Sequence, residues 1–319
     1  MKVRRHFSAV GAAPPVALTI GNFDGAHLGH QAMLARTVAA ARSLSIFSCA
    51  LTFEPHPREF FAPDQAPARL TSLREKLELL ASHGIQRVQV CRFGYRFAQI
   101  TAEEFIDKIV CRGLNAKWVL VGEDFRFGAR RAGDLTLLKQ AAVRRGFAVE
   151  LQPLITMDGE RVSSTAVRGA LAAGNVARAQ RLLGRPYSIS GRVVHNDQLG
   201  RKFGFPTANL LMKHNRPPLK GIYVVEVRGV SDQPWPGVAS LGIRPTIGRD
   251  LRPVLEVHLL DFDRDVYGAH LRIDFLHKLR DEEKYADVET LKRQIARDVV
   301  QTREFFYCRD AGARRKTNI

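Results

Sequence analysis

Thr19-Ile-Gly-Asn-Phe-Asp-Gly-Ala-His-Leu-Gly-His30 is the stretch on which the fold turns. The run Val16 to Ile20 leads into it as a short buried-strand pattern, and Leu28 to Ala41 continues it with apolar residues at helical spacing. Between them lies a turn holding Gly21, Asn22, Phe23, Asp24 and Gly25. A strand that passes through such a turn into a helix presents the free N-terminal amides of the helix to an anion. His27 and His30 stand three residues apart at the helix start and can face one way. Gly29, between them, removes a side chain and opens the backbone to a bulky ligand. Two imidazoles beside a helix N-terminus suit the phosphates of ATP in adenylyl transfer, where charge builds on the α-phosphoryl oxygens and on departing pyrophosphate. Alone, a His-x-x-His reads better as surface residues or a pair of metal ligands; its place behind a strand and Gly-Asn-Phe-Asp-Gly reverses that preference.

Outward from this stretch the first half keeps one rhythm. Strand patterns at Ile46 to Phe53, Val88 to Cys91, Trp118 to Val121 and Phe147 to Leu151 alternate with helix patterns at Leu73 to Leu80, Ala102 to Val110 and Leu135 to Ala142. That alternation predicts an α/β domain with a parallel sheet covered on both faces, its ligands at the carboxyl ends of the strands. After Gly184-Arg-Pro186 the rhythm changes. Tyr187 to Val194, Gly221 to Val227, Val254 to Leu260 and Leu271 to Phe275 are short strand patterns between Gly, Pro, Asn and Asp turns, which predicts an antiparallel barrel or sandwich. Val288 to Phe306 carries Leu291, Ile295 and Val299 at helical spacing and predicts a helix on that barrel. The expected domains are 1–184 and 185–310, with 311–319 a solvated basic tail.

Composition bounds the chemistry. A chain of 319 residues, 45% hydrophobic and 25% charged, has material for two cores and is not composed like a disordered one. No apolar run reaches the ~20 residues a membrane helix needs, and Pro14-Pro15 after a basic start argues against a secretory signal. Cys49, Cys91, Cys111 and Cys308 show no Cys-x-x-Cys spacing, so they read as thiols of a reducing compartment, and a cytoplasmic enzyme is expected. The net charge of +17 and pI near 10.3 call for an anionic ligand without fixing its size. Nucleic acid is one candidate, but no recognition helix, zinc module or aromatic RNA-binding strand accompanies the charge.

Three further stretches carry candidate chemistry. Arg161-Val-Ser-Ser-Thr-Ala-Val-Arg168 precedes a helix pattern; Ser163, Ser164 and Thr165 offer hydroxyls or a plain helix cap, and Arg168 a fork-shaped cation. In Val121-Gly-Glu-Asp-Phe-Arg-Phe-Gly128, Phe125 and Phe127 offer apolar surface to a planar ring, with Asp124 and Arg126 for polar contacts; the alternative is that both rings belong to the core. In Gly200-Arg-Lys-Phe-Gly-Phe-Pro-Thr-Ala-Asn-Leu210, Gly200 and Lys202 belong to a flexible basic loop able to close over phosphates, and Thr207 and Asn209 offer oxygens to Mg²⁺. Pro-Thr-Ala-Asn by itself is equally a turn.

Together the His27-x-Gly-His30 and Ser164-Thr-x-x-Arg168 segments resemble the nucleotidyltransferase superfamily, which implies a Rossmann-like fold and transfer of a nucleotidyl group to a phosphate-bearing acceptor. Leu51-Thr-Phe-Glu-Pro-His-Pro57 and the Asp124 to Phe127 loop resemble the bacterial FAD synthetase branch, which joins AMP from ATP to FMN. The resemblance carries over His27 and His30 as phosphate-contacting catalytic residues, Asn22 and Asp24 as nucleotide-site residues, and Ser164, Thr165 and Arg168 as a second phosphate clamp. The later series resembles riboflavin kinase: Gly184 to Gly191, Gly200 to Leu210, Gly221 to Val224, Gly237 to Thr246, Leu255 to Leu260 and Arg280-Asp-Glu282. It implies a small β-barrel that phosphorylates the ribityl 5′-hydroxyl of riboflavin from ATP and Mg²⁺, with Glu256 as the catalytic carboxylate.

Departures are few. Ala166 stands where members often carry a longer basic residue, Asn196 where glycine is usual, Gln198 for a commonly basic residue and Ser240 for a common Asn. None of these three barrel positions is expected to touch the base or the metal ligands. Two rivals remain: a nucleotidyltransferase with a different phosphate-bearing acceptor, and a basic nucleic-acid-binding protein. The expected partners are flavins and ATP, without membrane or nucleic acid, and with weak self-association at most.

Overall fold

The computed structural model describes residues 1–7, 13–195, 204–213, 216–245 and 251–317. Chain contacts divide it into two compact units, Met1–Pro67 with Thr71–Ser164, and Ala68–Leu70 with Thr165–Ile319.

The first unit is built on six strands: β1 (Lys2–Arg4), β2 (Val16–Ile20), β3 (Phe47–Glu54), β4 (Arg87–Arg92), β5 (Ala116–Gly122) and β6 (Ala148–Gln152). They run in the order β1-β4-β3-β2-β5-β6, and every neighbouring pair is parallel. The helices are α1 (Leu28–Ser43), α2 (Pro57–Phe61), α3 (Leu73–Ser82), α4 (Tyr95–Ala98), α5 (Ala102–Glu104), which runs on as a π-helical stretch Phe105–Gly113, and α6 (Leu135–Arg145). A short antiparallel pair, β7 (Thr156–Met157) with β8 (Glu160–Arg161), ends the unit.

The strand pattern follows from burial on both faces. All five residues of β2 are buried. Val16, Leu18 and Ile20 pack with Phe105, Ile106, Ile109 and Leu138, while Ala17 lies on the other face with Met33 and Ala41 of α1. A continuous apolar run is what a central parallel strand needs. The strand order reverses between β2 and β5, so the crevice outside their carboxyl ends is the natural ligand position in such a sheet. The turn after β2 holds the His27-x-Gly-His30 motif, and the turn after β5 holds the Asp124 to Phe127 loop.

The second unit begins with α7 (Ser164–Ala172) and α8 (Val176–Leu183), followed by six strands: β9 (Tyr187–Val194), β10 (Ala208–Leu211), β11 (Gly221–Arg228), β12 (Trp235–Pro245), β13 (Leu251–Leu259) and β14 (His270–Arg280). They close into an antiparallel barrel in the order β10-β13-β12-β11-β14-β9. Inward residues such as Ile189, Leu210, Tyr223, Val225, Leu241, Leu255, Val257, Ile273 and Phe275 are buried and fill the interior. A small barrel filled with side chains leaves no room for substrate within it, so its chemistry belongs on the outer face and the connecting loops.

The last helix, α9 (Val288–Thr317), is longer than the sequence pattern predicts and takes in part of the expected basic tail. It packs on β12, where Val299 joins Ile222, Val238 and Leu260. An ion pair between half-buried Arg280 and buried Asp298 fixes it: Arg280 reaches both oxygens of Asp298, with Nη2 to Oδ2 at 2.7 Å and Nε to Oδ1 at 3.0 Å. Gln294 adds a third hydrogen bond to Asp298 Oδ1 at 3.0 Å.

Candidate active site

His27 is the N-cap of α1, in extended backbone geometry, and its Nδ1 accepts from His30 N at 3.3 Å. The two imidazoles stack with centroids 3.7 Å apart and planes 21° from parallel. His27 is buried and His30 half-buried. Gly29 makes this possible in a way the sequence does not show. A Cβ there would stand 3.1 Å from His27 Cε1 and 3.2 Å from Nδ1, so the glycine makes room for the His27 ring rather than for a ligand alone. The face-to-face arrangement joins the two histidines to the first free amides of a helix of 16 residues.

The turn in front of them is strained and well tied. Phe23 (φ 48) and Ala26 (φ 41) both take left-handed backbone. Burial offsets that strain: Phe23 is fully buried with Leu34 and Leu80, and its ring edge meets His30 at 5.2 Å. The Phe23 ring thus belongs to the core, and its backbone is what it offers to the turn. Gly21 is bounded by the same ring, 3.2 Å from where a Cβ would stand.

Asp24 is engaged within the same turn. Its Oδ1 accepts from the amide and the hydroxyl of Thr71, both at 3.0 Å, and Thr71 Oγ1 accepts from Gly25 N at 3.2 Å. The carboxylate therefore anchors the turn across 47 residues of sequence and acts as a positioning group. Ser164 is likewise occupied, donating its hydroxyl to Asp24 O at 2.9 Å. Asn22 fits a ligand contact best. Its Oδ1 is buried and has no hydrogen-bond partner among the described residues, and such an atom costs stability unless something pairs with it.

The β5 turn divides its residues. Phe127 is buried in the core beside Phe105 at 5.3 Å, and Gly133 lies so close that a Cβ there would be 2.6 Å from the ring. Of the two readings of this loop, the Phe127 ring follows the core one. Phe125, stacked on Phe127 at 5.3 Å and 20°, is half-buried and keeps an outer face. Arg126 pairs with Asp134 at 3.1 Å, and Asp124 with Arg161 at 2.7 Å, both at the surface. The N-terminal amide of Leu137 and, after it, the Arg126 charge hold the Asp134 carboxyl below its usual range. The sequence did not reveal the aromatic cluster that continues from here, with Phe53, Phe93 and Phe97 meeting at 5.6–5.9 Å and Phe60 and Phe61 of α2 joining them. Only their shared position at or just beyond the carboxyl ends of β3 and β4 unites these residues.

Within the second unit, Arg168 lies on α7 and donates from Nε to Ala68 O at 2.6 Å, while Thr165 is exposed at the start of the same helix. Glu256 lies on β13 between two neighbours, Asn209 on β10 and Ser240 on β12, each directly opposite in register. Opposed residues share a face. The flanking Leu255 and Val257 point into the barrel, so Glu256 is on the outer face. Ser240, expected to lie away from the base, is thus its immediate neighbour. The Glu282 carboxylate rests against Gly242. Thr207 and Asn209 alternate onto the same face and present oxygen donors, the set a hard cation takes. No group of three or more His, Cys, Asp or Glu able to hold a metal occurs among the described residues. That donor set fits Mg²⁺ held by few protein oxygens with phosphates and water completing its shell. Gly200, Lys202, Asn196 and Gln198 lie outside the described residues.

A parallel sheet carrying stacked histidines at its switch point, with a filled barrel bearing an outward carboxylate beside Asn209, defines a nucleotidyltransferase joined to a β-barrel phosphotransferase. The FAD synthetase family model matches residues 11–166, and the riboflavin kinase model matches 183–306. The bifunctional riboflavin kinase/FMN adenylyltransferase of Escherichia coli K12 is 48% identical over 308 residues, 96% of this chain and 98% of that protein. The protein of the same description from Haemophilus influenzae is 44% identical over 91% of this chain and 94% of its own length. A crystal structure from Streptococcus pneumoniae, described as a macrolide-efflux protein, superposes with TM-score 0.80 at 29% identity, covering 95% of this chain and 99% of that one. The chain belongs to the bifunctional riboflavin kinase/FMN adenylyltransferase family. Among the described residues no helix is long and apolar enough to cross a membrane.

Proposed function

We propose that this chain makes FMN from riboflavin and FAD from FMN at two separate places, using ATP in both steps. The single observation that carries the reading is that each chemistry has its own cluster. His27 and His30 stack at the head of α1, and Glu256 faces Asn209 on the barrel.

At the barrel, Glu256 accepts the proton of the ribityl 5′-hydroxyl as that oxygen bonds to the γ-phosphorus of ATP. The bond to the bridging oxygen breaks and ADP leaves. Thr207 and Asn209 would hold Mg²⁺, which when bound neutralises charge on the phosphates; Gly200 and Lys202 are proposed as further phosphate-binding residues. At the sheet, a phosphate oxygen of FMN attacks the α-phosphorus of ATP and pyrophosphate departs. His27, His30 and the α1 amides meet the developing charge, and Gly21, Asn22, Phe23 and Asp24 form the nucleotide turn. Ser164, Thr165 and Arg168 are proposed as the further phosphate clamp from their match to the motif. Phe125, with Asp124 and Arg126 around it, is the proposed flavin contact, and Phe127 supports it from beneath. The proposed domains are 1–184 for adenylyl transfer and 185–310 for the kinase, with 311–319 a basic tail. The cytoplasm, which supplies ATP and keeps the four thiols reduced, is the proposed location. Nucleic-acid binding and strong self-association are not part of the proposal.

The test is incubation of the purified chain with riboflavin, ATP and Mg²⁺, followed by chromatography of the flavins. FMN and then FAD should appear in succession. Conversion of neither riboflavin nor added FMN would overturn the reading.

A further inference from the structure

His258 lies on β13 two residues beyond Glu256, so both side chains occupy the outer face of the barrel. Its Nδ1 is 2.8 Å from Pro206 O, and its ring meets Phe205 at 5.7 Å with planes 84° apart. Thr207 directly precedes β10, whose first residue, Ala208, pairs with Val257, the residue before His258. The histidine thus holds the two residues in front of Thr207, one by its carbonyl and the other by its ring.

Gly204 is left-handed at φ 86, and Pro206 has no amide proton to give. The strand that follows, β10, is only four residues long. A carbonyl oxygen carries no proton, so the 2.8 Å contact requires a proton on Nδ1 of His258. In the neutral ring Nε2 is then a bare acceptor.

We propose that His258 is a positioning residue of the kinase site. Its Nδ1–H, bonded to Pro206 O, fixes the placement of Thr207 beside Glu256 and so the seat of the ATP phosphates. The proposal rests on the reading of Glu256 and Thr207 as kinase residues. It differs from simple packing in one respect: an apolar side chain of similar size cannot replace the histidine, whereas one that keeps an N–H near the Nδ1 position can.

Two measurements on the full chain test it. The first is the ¹⁵N spectrum of histidine-labelled protein without ligand, with the His258 signals assigned by their loss in His258→Asn. The proton should sit on Nδ1 and Nε2 should be bare; the opposite tautomer would overturn the proposal. The second compares His258→Asn, His258→Leu and His258→Ala in riboflavin phosphorylation. His258→Leu and His258→Ala should raise KM for ATP roughly fivefold to tenfold, the worth of one such hydrogen bond, with kcat less affected. His258→Asn should stay within about twofold of the unsubstituted chain, and adenylylation of added FMN should be unchanged in all three. Equal behaviour of the Leu and Asn variants would overturn the proposal alone. Absence of riboflavin phosphorylation in the unsubstituted chain would overturn the kinase reading, and the proposal with it.

Discussion

Gly29→Ala tests whether the stacked histidines depend on the residue between them. The new Cβ would stand 3.1 Å from His27 Cε1 and 3.2 Å from Nδ1, closer than ordinary van der Waals contact, so the ring must withdraw by a few tenths of an ångström. Its bond from His30 N is already 3.3 Å long, and such a movement carries it to the limit of hydrogen bonding. Loss of the cap costs about 1 kcal/mol of helix stability, or about 2–4 °C in Tm for a unit of this size. The larger effect falls on catalysis. On the role proposed for the two imidazoles, misplacing them lowers the rate by about 10- to 100-fold. The assay is conversion of FMN and ATP to FAD, with riboflavin phosphorylation by the same preparation as the internal control. Gly29→Ala should lose FAD formation to that extent and keep FMN formation at the original rate. FAD formation at the full rate would refute the argument that Gly29 seats the His27 ring, and equal loss of both activities would refute its locality.

Other consequences follow from the packing. Asp298→Ala leaves the half-buried Arg280 without its bidentate partner, and removing one member of such a pair costs about 3–5 kcal/mol. Denaturant unfolding should show a loss of that size in the barrel transition. Burial pushes the Cys49 and Cys91 thiols up from 9.0 to about 12. Between those values the folded chain keeps protons that the unfolded chain has lost, so stability should fall as pH rises above about 9. Alkylation at pH 8 should label exposed Cys308 and spare Cys49 and Cys91 until the chain is unfolded.

The sequence carries most of the architecture because burial writes a period into it. β2, all five residues buried, and β9, alternating in and out, are both visible as patterns. Elements without such a pattern are missed. β1 is three residues long and mostly exposed. β12 contains Pro236, Gly237, Gly242 and Pro245, which look like turns until the barrel pairs them with β11 and β13. β10 hides inside Pro-Thr-Ala-Asn for the same reason. The site shows the same division. His27, His30 and Glu256 are the residues a motif singles out, but what each neighbour touches is decided by contacts distant in sequence. Asp24 is bound to Thr71, Phe127 lies under Gly133, and Ser240 and His258 share the face of Glu256. Of these pairings only the two-residue step from Glu256 to His258 leaves a spacing to read.

The central claim is that two clusters serve two reactions, and complementary substitutions test it most directly. His27→Ala and Glu256→Ala would each be supplied with riboflavin, ATP and Mg²⁺, alone and mixed, and the flavins followed over time. The account predicts that His27→Ala stops at FMN, that Glu256→Ala converts only added FMN, and that the mixture carries riboflavin through to FAD. Loss of both steps from either single substitution, or FAD formation by His27→Ala at the original rate, would contradict it.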